Sequence, residues 1–180
     1  MQKLCNYKTS YEHPSKIYIL LWIFVSFFVF RTSLPFSSSL KVLILKIFGA
    51  KVGCGVVIKQ NVNIKYPSKL VIGNNSWIGE NVWIDNLDNV SIGDNCCISQ
   101  GVYLLTGNHN YSKRSFDLIT GEILIKDCVW IGAQSIVCPN VTVNYSSILT
   151  VGSVATSDLA EKSIYQGNPA TLKKERVITK

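Results

Sequence analysis

From Val52 onward an aliphatic residue returns at every sixth position, and few chain geometries tolerate that period. Val52, Ile58 and Ile64 are six apart, as are Ile72, Ile78 and Ile84, then Ile92, Ile98 and Leu104. The beat resumes at Ile125, Ile131, Val137, Val143 and Leu149, so fourteen aliphatic residues hold one phase. Two extra residues separate the first triplets, and a further aliphatic side chain stands two positions before each restart, at Leu70, Val90 and Ile123. A helix repeats near 3.6 residues and a strand near 2, so a period of six fits neither. It fits a short strand followed by a sharp change of direction, with three strands closing a triangular coil of about eighteen residues.

The remaining positions of the hexad agree. Four residues after most aliphatic corners stands a small or β-branched side chain suited to a narrow interior: Val56, Val62, Ser68, Ser76, Val82, Cys96, Val102, Ser135, Val141, Ser147 and Ser153. Stacked coils pair their backbone groups with one another and bury the corners as a ladder, each corner contributing about 1.5–3 kcal/mol. The expected architecture is all-β, a parallel β-helix of about five coils over residues 52–160, with an arm and apolar segment over 1–51 and a cap and basic tail over 161–180.

One stretch breaks the beat. Residues 104–125 read LLTGNHNYSKRSFDLITGEILI, and the next corner, due near residue 110, returns only at Ile125. A loop over 105–124 is therefore expected to project from the scaffold. It carries His109, one of two histidines in the chain. An imidazole titrates near neutrality and suits proton transfer. Asn108, Tyr111, Lys113 and Arg114 lie beside it, where selectivity for a second substrate is expected.

The net charge of +7 does not mark a nucleic-acid surface, because it sits at the ends. Residues 1–51 hold seven basic residues, Lys3 and Lys8 among them, against Glu12 alone. Lys173, Lys174, Arg176 and Lys180 face only Glu175, and the middle is slightly acidic. Such ends suit anionic lipid or a phosphorylated ligand. The six cysteines, Cys5, Cys54, Cys96, Cys97, Cys128 and Cys138, form no C-x-x-C pair, and with two histidines no metal site is expected. They read as reduced thiols, with Cys96 and Cys97 on opposite strand faces.

Residues 1–16 are expected to form a mobile arm with a solvated His13. The run IYILLWIFVSFFVF over 17–30 is fourteen residues long, short of the ~20 a membrane span needs. With LKVLILKIF over 40–48 it predicts two helical pieces broken around Pro35 and the serines that follow. They either pack on the body or a partner subunit, or form a monotopic anchor with apolar face in lipid and lysines at head groups. The sequence leaves both open.

The hexads IGNNSWIGENVWI, the stretch ISQGVYLLTGNH, the segment IKDCVWIGAQSIVCPNVTV and the closing GNPA resemble the hexapeptide-repeat acyltransferases, in that order along the chain. The apolar lead ending FGAKVG resembles the branch of colanic-acid and other exopolysaccharide O-acetyltransferases. The resemblance implies a left-handed helix, a C3 homotrimer with sites between subunits, and no metal. It implies direct transfer of acetyl from acetyl-CoA to a sugar hydroxyl of an exopolysaccharide, capsule or O-antigen precursor, free or lipid-linked. His109 in TGNH takes the position of the general base.

By the same resemblance, Asp85 and Asn86 correspond to acceptor-binding positions, with Asn108 beside the base. Trp130 corresponds to a tryptophan along the pantetheine arm. Gly132, Ala133, Gly152 and Ser153 lie along the CoA path. Thr156 stands where the family has Thr-Lys-Asp and here the chain reads Thr-Ser-Asp. A basic residue usual after GNPA is replaced by Thr171, so Lys173 and Lys174, or Lys162, are expected to supply the phosphate contacts. A cytoplasmic enzyme is implied, peripheral at the inner membrane face. N-acetylation of an amino-sugar nucleotide and a catalytically silent scaffold are the alternatives.

Overall fold

The computed structural model describes Leu4, Tyr7 and residues 11–179; Lys3, Cys5, Lys8 and Lys180 lie outside the described residues. The chain forms a parallel β-solenoid with three faces. The first face stacks Lys51–Val52, Leu70–Ile72, Val90–Ile92, Ile123–Ile125 and Thr142–Val143. The second stacks Val57–Ile58, Trp77–Ile78, Cys97–Ile98, Trp130–Ile131, Ile148–Leu149 and Ser163–Gly167, then Ala170–Glu175 folding back antiparallel. The third stacks Asn63–Ile64, Trp83–Asp85, Tyr103–Leu105, Ile136–Val137 and Val154–Ala155.

All fourteen corner aliphatics are buried in one continuous core. Three details depart from expectation. The stack holds about six coils rather than five, because Ser163–Gly167 pairs parallel with the strand at Ile148. Ser68, assigned to the interior, is exposed, because Pro67–Lys69 forms a 3-10 turn that swings it out of the hexad. The third is the arm, treated with the site below. Cys96 faces inward and Cys97 outward, as strand alternation requires.

The coils turn on a backbone conformation that the beat alone does not reveal. Three residues after the corner, φ is positive at Asn61, Asn75, Asn81, Asn95 and Asn140, at Gly55, Gly101 and Gly152, and at Cys128, Gln134 and Ser146. Asn and Gly enter this left-handed region at least cost. The corners after Ile64, Ile84 and Leu104 carry no such residue among those with positive φ, and there the chain lengthens.

Hydrogen-bond direction explains the N-terminal helices. The N–H following each corner donates to the corner carbonyl of the next coil, as from Gly53 to Ile72, Lys59 to Ile78 and Lys65 to Ile84. The first coil has no predecessor, so its own corner carbonyls need donors from elsewhere. Helix α1 (Lys16–Val29), capped by the Ser15 side chain, inserts Trp22, 2% exposed, whose Nε1 donates to the Ile64 carbonyl at 2.7 Å. Helix α2 (Ser38–Ile47), capped by Ser37, buries Lys41 to 1% exposure. Its Nζ donates to the carbonyls of Ile58 and Lys59 at 3.3 and 2.6 Å, while burial lowers its pKa from the usual lysine range. Both helices thus plug one mouth of the solenoid.

Candidate functional site

The projecting element is an antiparallel hairpin, Gly107–His109 against Leu118–Thr120, placing Asn108 opposite Ile119 and His109 opposite Leu118. Regular coil persists through Leu105 and resumes at Ile123, so the projection is shorter than the lost beat implies. Thr106, fully buried, anchors its base: the hydroxyl donates to the Asp85 carbonyl at 2.8 Å and accepts the Asp88 N–H at 3.0 Å. Gly107 lets the hairpin leave the coil close against Leu87, whose Cδ1 would stand 2.7 Å from a Cβ there and would have to shift to admit one. At the tip, Asn110 N–H donates to the Asp117 carbonyl and Lys113 pairs with the Asp117 carboxylate at 3.1 Å.

His109 is held on two sides. Its ring lies flat on Phe116, centroids 4.2 Å apart and planes within 1°, and the Tyr7 ring meets it edge-on at 5.9 Å. Nδ1 is 3.0 Å from the Phe116 carbonyl oxygen. A carbonyl only accepts, so Nδ1 carries a hydrogen, and in the neutral ring the lone pair is on Nε2. Phe116 has φ of 50°, a left-handed conformation that a bulky residue enters at a cost of about 1–2 kcal/mol. Backbone strain is thus spent on aiming a carbonyl at the imidazole.

Around the hairpin base lies a cluster of tyrosines on Asp85. Its carboxylate pairs with Lys65 at 2.9 Å and accepts from the Tyr103 hydroxyl at 3.1 Å. Burial, then Asp85, pushes the Tyr103 phenol up to about 12. Burial, then Asp88 and Asp85, does the same to Tyr11, also about 12, and burial followed by Tyr11 and Asp85 raises Tyr66. The arm brings Tyr11 here: its hydroxyl donates to the Leu87 carbonyl at 2.6 Å, and Lys69 Nζ reaches both groups. His13 Nδ1 lies 3.0 Å from the Tyr66 hydroxyl. The segment expected to be mobile is, from residue 11 on, docked along the solenoid wall, because aromatic rings and backbone carbonyls there offer it partners, while His13 itself stays exposed as expected.

The other expected site residues divide among several places. Asn86 is fully buried, its amide accepting the Tyr66 N–H at 2.9 Å and donating to the Tyr66 carbonyl at 2.6 Å. Strand alternation puts Asn108 on the opposite hairpin face from His109. Asn108 lines a groove of about 400 Å³ with Ile119, Cys138, Asn140 and Thr156. Trp130, Gly132 and Ala133 line a second groove, of about 360 Å³, with Ser99, Thr150 and Val151. Here Trp130 Nε1 donates to Ser99 Oγ at 2.9 Å, and a Cβ on Gly132 would fall 2.5 Å from Val151 N.

A third groove, of about 460 Å³, continues along the same edge past Trp77, Gly79 and Cys97, sharing Ser99 and Gln100. Gly152 opens onto free space with φ of 65°, whereas Ser153 is buried and accepts the Gly167 N–H at 3.0 Å. Lys173 and Lys174 are exposed on the antiparallel strand, and Lys162 is exposed nearby in sequence. Among the described residues no group of His, Cys, Asp and Glu is placed to hold a metal.

The tyrosines and Phe116 were not singled out by sequence. Tyr103 carried a signal, since it stands in register with Trp83 and stacks on it at 4.8 Å, at the outward hexad position also held by Trp77 and Trp130. Tyr7, Tyr11, Tyr66 and Phe116 carried none.

The solenoid has structural counterparts among solved proteins. A galactoside acetyltransferase solved in complex with coenzyme A matches with TM-score 0.79 and 26% identity, over 88% of this chain and 80% of that one. A hexapeptide-repeat acetyltransferase of Vibrio cholerae solved with acetyl coenzyme A matches with TM-score 0.75 and 21% identity, over 81% of each chain. No protein-family model matches. In sequence, the chain is 32% identical over 181 residues to a protein named colanic acid biosynthesis acetyltransferase WcaF from Escherichia coli, over 99% of this chain and 100% of that one. Galactoside O-acetyltransferase of Escherichia coli is 29% identical over 149 residues, 81% of this chain and 73% of that one. The chain belongs to the hexapeptide-repeat acetyltransferases, alongside the colanic acid biosynthesis acetyltransferases.

Proposed function

We propose that this protein transfers acetyl from acetyl-CoA to a hydroxyl of a sugar in an exopolysaccharide, capsule or O-antigen precursor, with His109 as general base. The observation that carries this is the Nδ1–H donation to the Phe116 carbonyl, which leaves Nε2 free. Acetyl-CoA supplies an activated thioester carbonyl. Nε2 takes the hydroxyl proton as the sugar oxygen bonds to the acetyl carbon and the carbon–sulfur bond breaks, and it returns that proton to the departing thiolate. The thioester then meets the sugar directly, so neither Cys97 nor any other thiol is acylated.

We assign the pantetheine arm to the groove of Trp130, Gly132 and Ala133, where the close approach of the Val151 backbone demands glycine and an indole flanks a narrow channel. Gly152 and Ser153 continue that path through backbone groups, and Thr156, Lys173 and Lys174 are assigned to the phosphates. Asp85, held by Lys65 and Tyr103, is assigned to the acceptor, with Asn86 fixing the Tyr66 backbone beside it and Asn108 acting from the other hairpin face. Within one chain the Trp130 groove follows the second face and the His109 hairpin follows the third, at different corners. A homotrimer, in which one subunit's groove meets its neighbour's hairpin, joins them. We take the reaction to occur in the cytoplasm, where thiols stay reduced.

The test is acetyl transfer to sugars bearing hydroxyl or amine acceptors, with wild type and His109→Ala. Transfer to hydroxyl sugars that falls by about 10²–10⁴ in the variant is expected. Wild-type rates in His109→Ala, or transfer to amines alone, would refute the assignment.

A further inference from the structure

Helix α1 has two unlike faces. The inner one caps the first coil through Trp22. On the outer one, Ile17, Leu20, Leu21, Phe24, Phe27 and Phe28 recur at three- and four-residue spacing, each between 53% and 72% exposed. The Phe28 ring touches those of Phe24 and Phe27, with centroids 5.0 and 5.2 Å apart. On α2, Leu40, Leu43 and Ile47 form a second exposed stripe at the same spacing, opposite the buried Lys41 and Leu45. A helix that only plugged the solenoid would need the inner face alone. A contiguous apolar stripe in water implies a covering partner.

The charge around that face selects the partner. No acidic residue occurs between Glu12 and Glu80. Lys16, Arg31, Lys46, Lys51 and Lys59 are exposed, and none pairs with a carboxylate among the described residues, where the ion pairs are Lys65–Asp85 and Lys113–Asp117. Two copies meeting face to face would gather like charges with nothing to offset them. Anionic head groups supply the missing charge, at about 1 kcal/mol per basic residue near the surface. At 14 residues α1 is about 21 Å long, short of the ~30 Å hydrocarbon core, and no described helix is long and apolar enough to cross a membrane. It can lie in the interface but not span it.

We propose that the outer faces of α1 and α2 seat the N-terminal mouth of the solenoid on an anionic lipid surface. This goes beyond acetyl transfer and stands without it. One consequence does rest on that activity. The coil bearing the His109 hairpin is the third, about 10 Å from the first by strand spacing. The arm joins the two, with His13 at Tyr66, Tyr11 at Leu87 and Tyr7 at His109. A saccharide carried on a lipid anchor would then meet the imidazole close to the membrane plane.

The experiment is co-sedimentation of the full-length protein with vesicles of phosphatidylcholine containing phosphatidylglycerol, or of phosphatidylcholine alone, alongside the double variant Phe24→Glu/Phe27→Glu. Neither residue caps the solenoid or touches the hairpin, and circular dichroism and solution mass are measured on both proteins. Wild type is expected to pellet with the anionic vesicles and to do so at least about tenfold less with neutral ones or in high salt. The variant, with wild-type mass and spectrum, should lose at least about tenfold in binding. Wild type that stays in the supernatant, a variant that binds equally, or a variant whose mass changes would overturn the proposal, the last by marking the face as a subunit contact. None of these readouts depends on transferase activity.

Discussion

At most corners of the solenoid the chain turns on one left-handed residue, often asparagine, and re-enters the ladder within six positions. After Leu104 it leaves through Thr106 and Gly107, forms an antiparallel hairpin, and returns at Ile123. The regular corners are closed by neighbours above and below, each hydrogen bond repeated coil after coil. The hairpin has no such repetition, so its side chains are fixed one by one: Thr106 by Asp85 and Asp88, His109 by Phe116 and Tyr7, Asp117 by Lys113. A repetitive scaffold tolerates the loss of one contact, whereas a site built from single contacts does not. Stability should follow the ladder and reactivity the hairpin.

The sharpest way to separate them is His109→Ala, expected to cost about 10²–10⁴ in acetyl transfer while leaving the urea unfolding midpoint near wild type. Ile98→Ala inverts the pattern. Truncating a fully buried corner should cost about 2–5 kcal/mol in urea unfolding, with the rate of the folded fraction retained. A ladder variant that silenced the folded enzyme, or a histidine variant that melted it, would break the division.

Trp22→Phe tests the capped mouth. The ring volume largely remains, but the Ile64 carbonyl loses its donor, and a loss of about 1–3 kcal/mol is expected. Phe116→Ala sharpens the hairpin side: the carbonyl partner of His109 stays while the stacked ring is gone, and kcat/KM should fall by about tenfold. The smallest effect is spectroscopic. With Tyr11 and Tyr103 pushed up to about 12, their tyrosinate absorbance should lag behind that of ordinary tyrosines in an alkaline titration. Both are favoured protonated in the fold, so neither penalises stability below pH 10, and stability should fall as pH rises from there towards 12.

The ladder was legible because a six-residue beat is a property of the chain, and stacking copies it without reference to anything distant. All fourteen corners are buried as the beat requires, and ten of the eleven small positions face inward. Ser68 fails because the local turn at Pro67 overrides the count. The two helices were legible from two apolar runs broken around Pro35, whereas their serine caps came from the structure. His109 stood out as the histidine inside the break, though its tautomer did not.

What only the tertiary structure decided is which groups meet across coils and across the chain. Tyr7 and Tyr11 precede the repeat by dozens of residues yet touch the hairpin and the Leu87 carbonyl. Trp22 and Lys41 read as members of an apolar run but serve orphaned carbonyls of the first coil. Alternation in a short antiparallel pair turned Asn108 away from His109 although they are adjacent in sequence. Periodicity records what each residue shares with its equivalents one coil away. The partners of a non-repeating side chain depend on where the whole fold brings the backbone, and no local pattern encodes that.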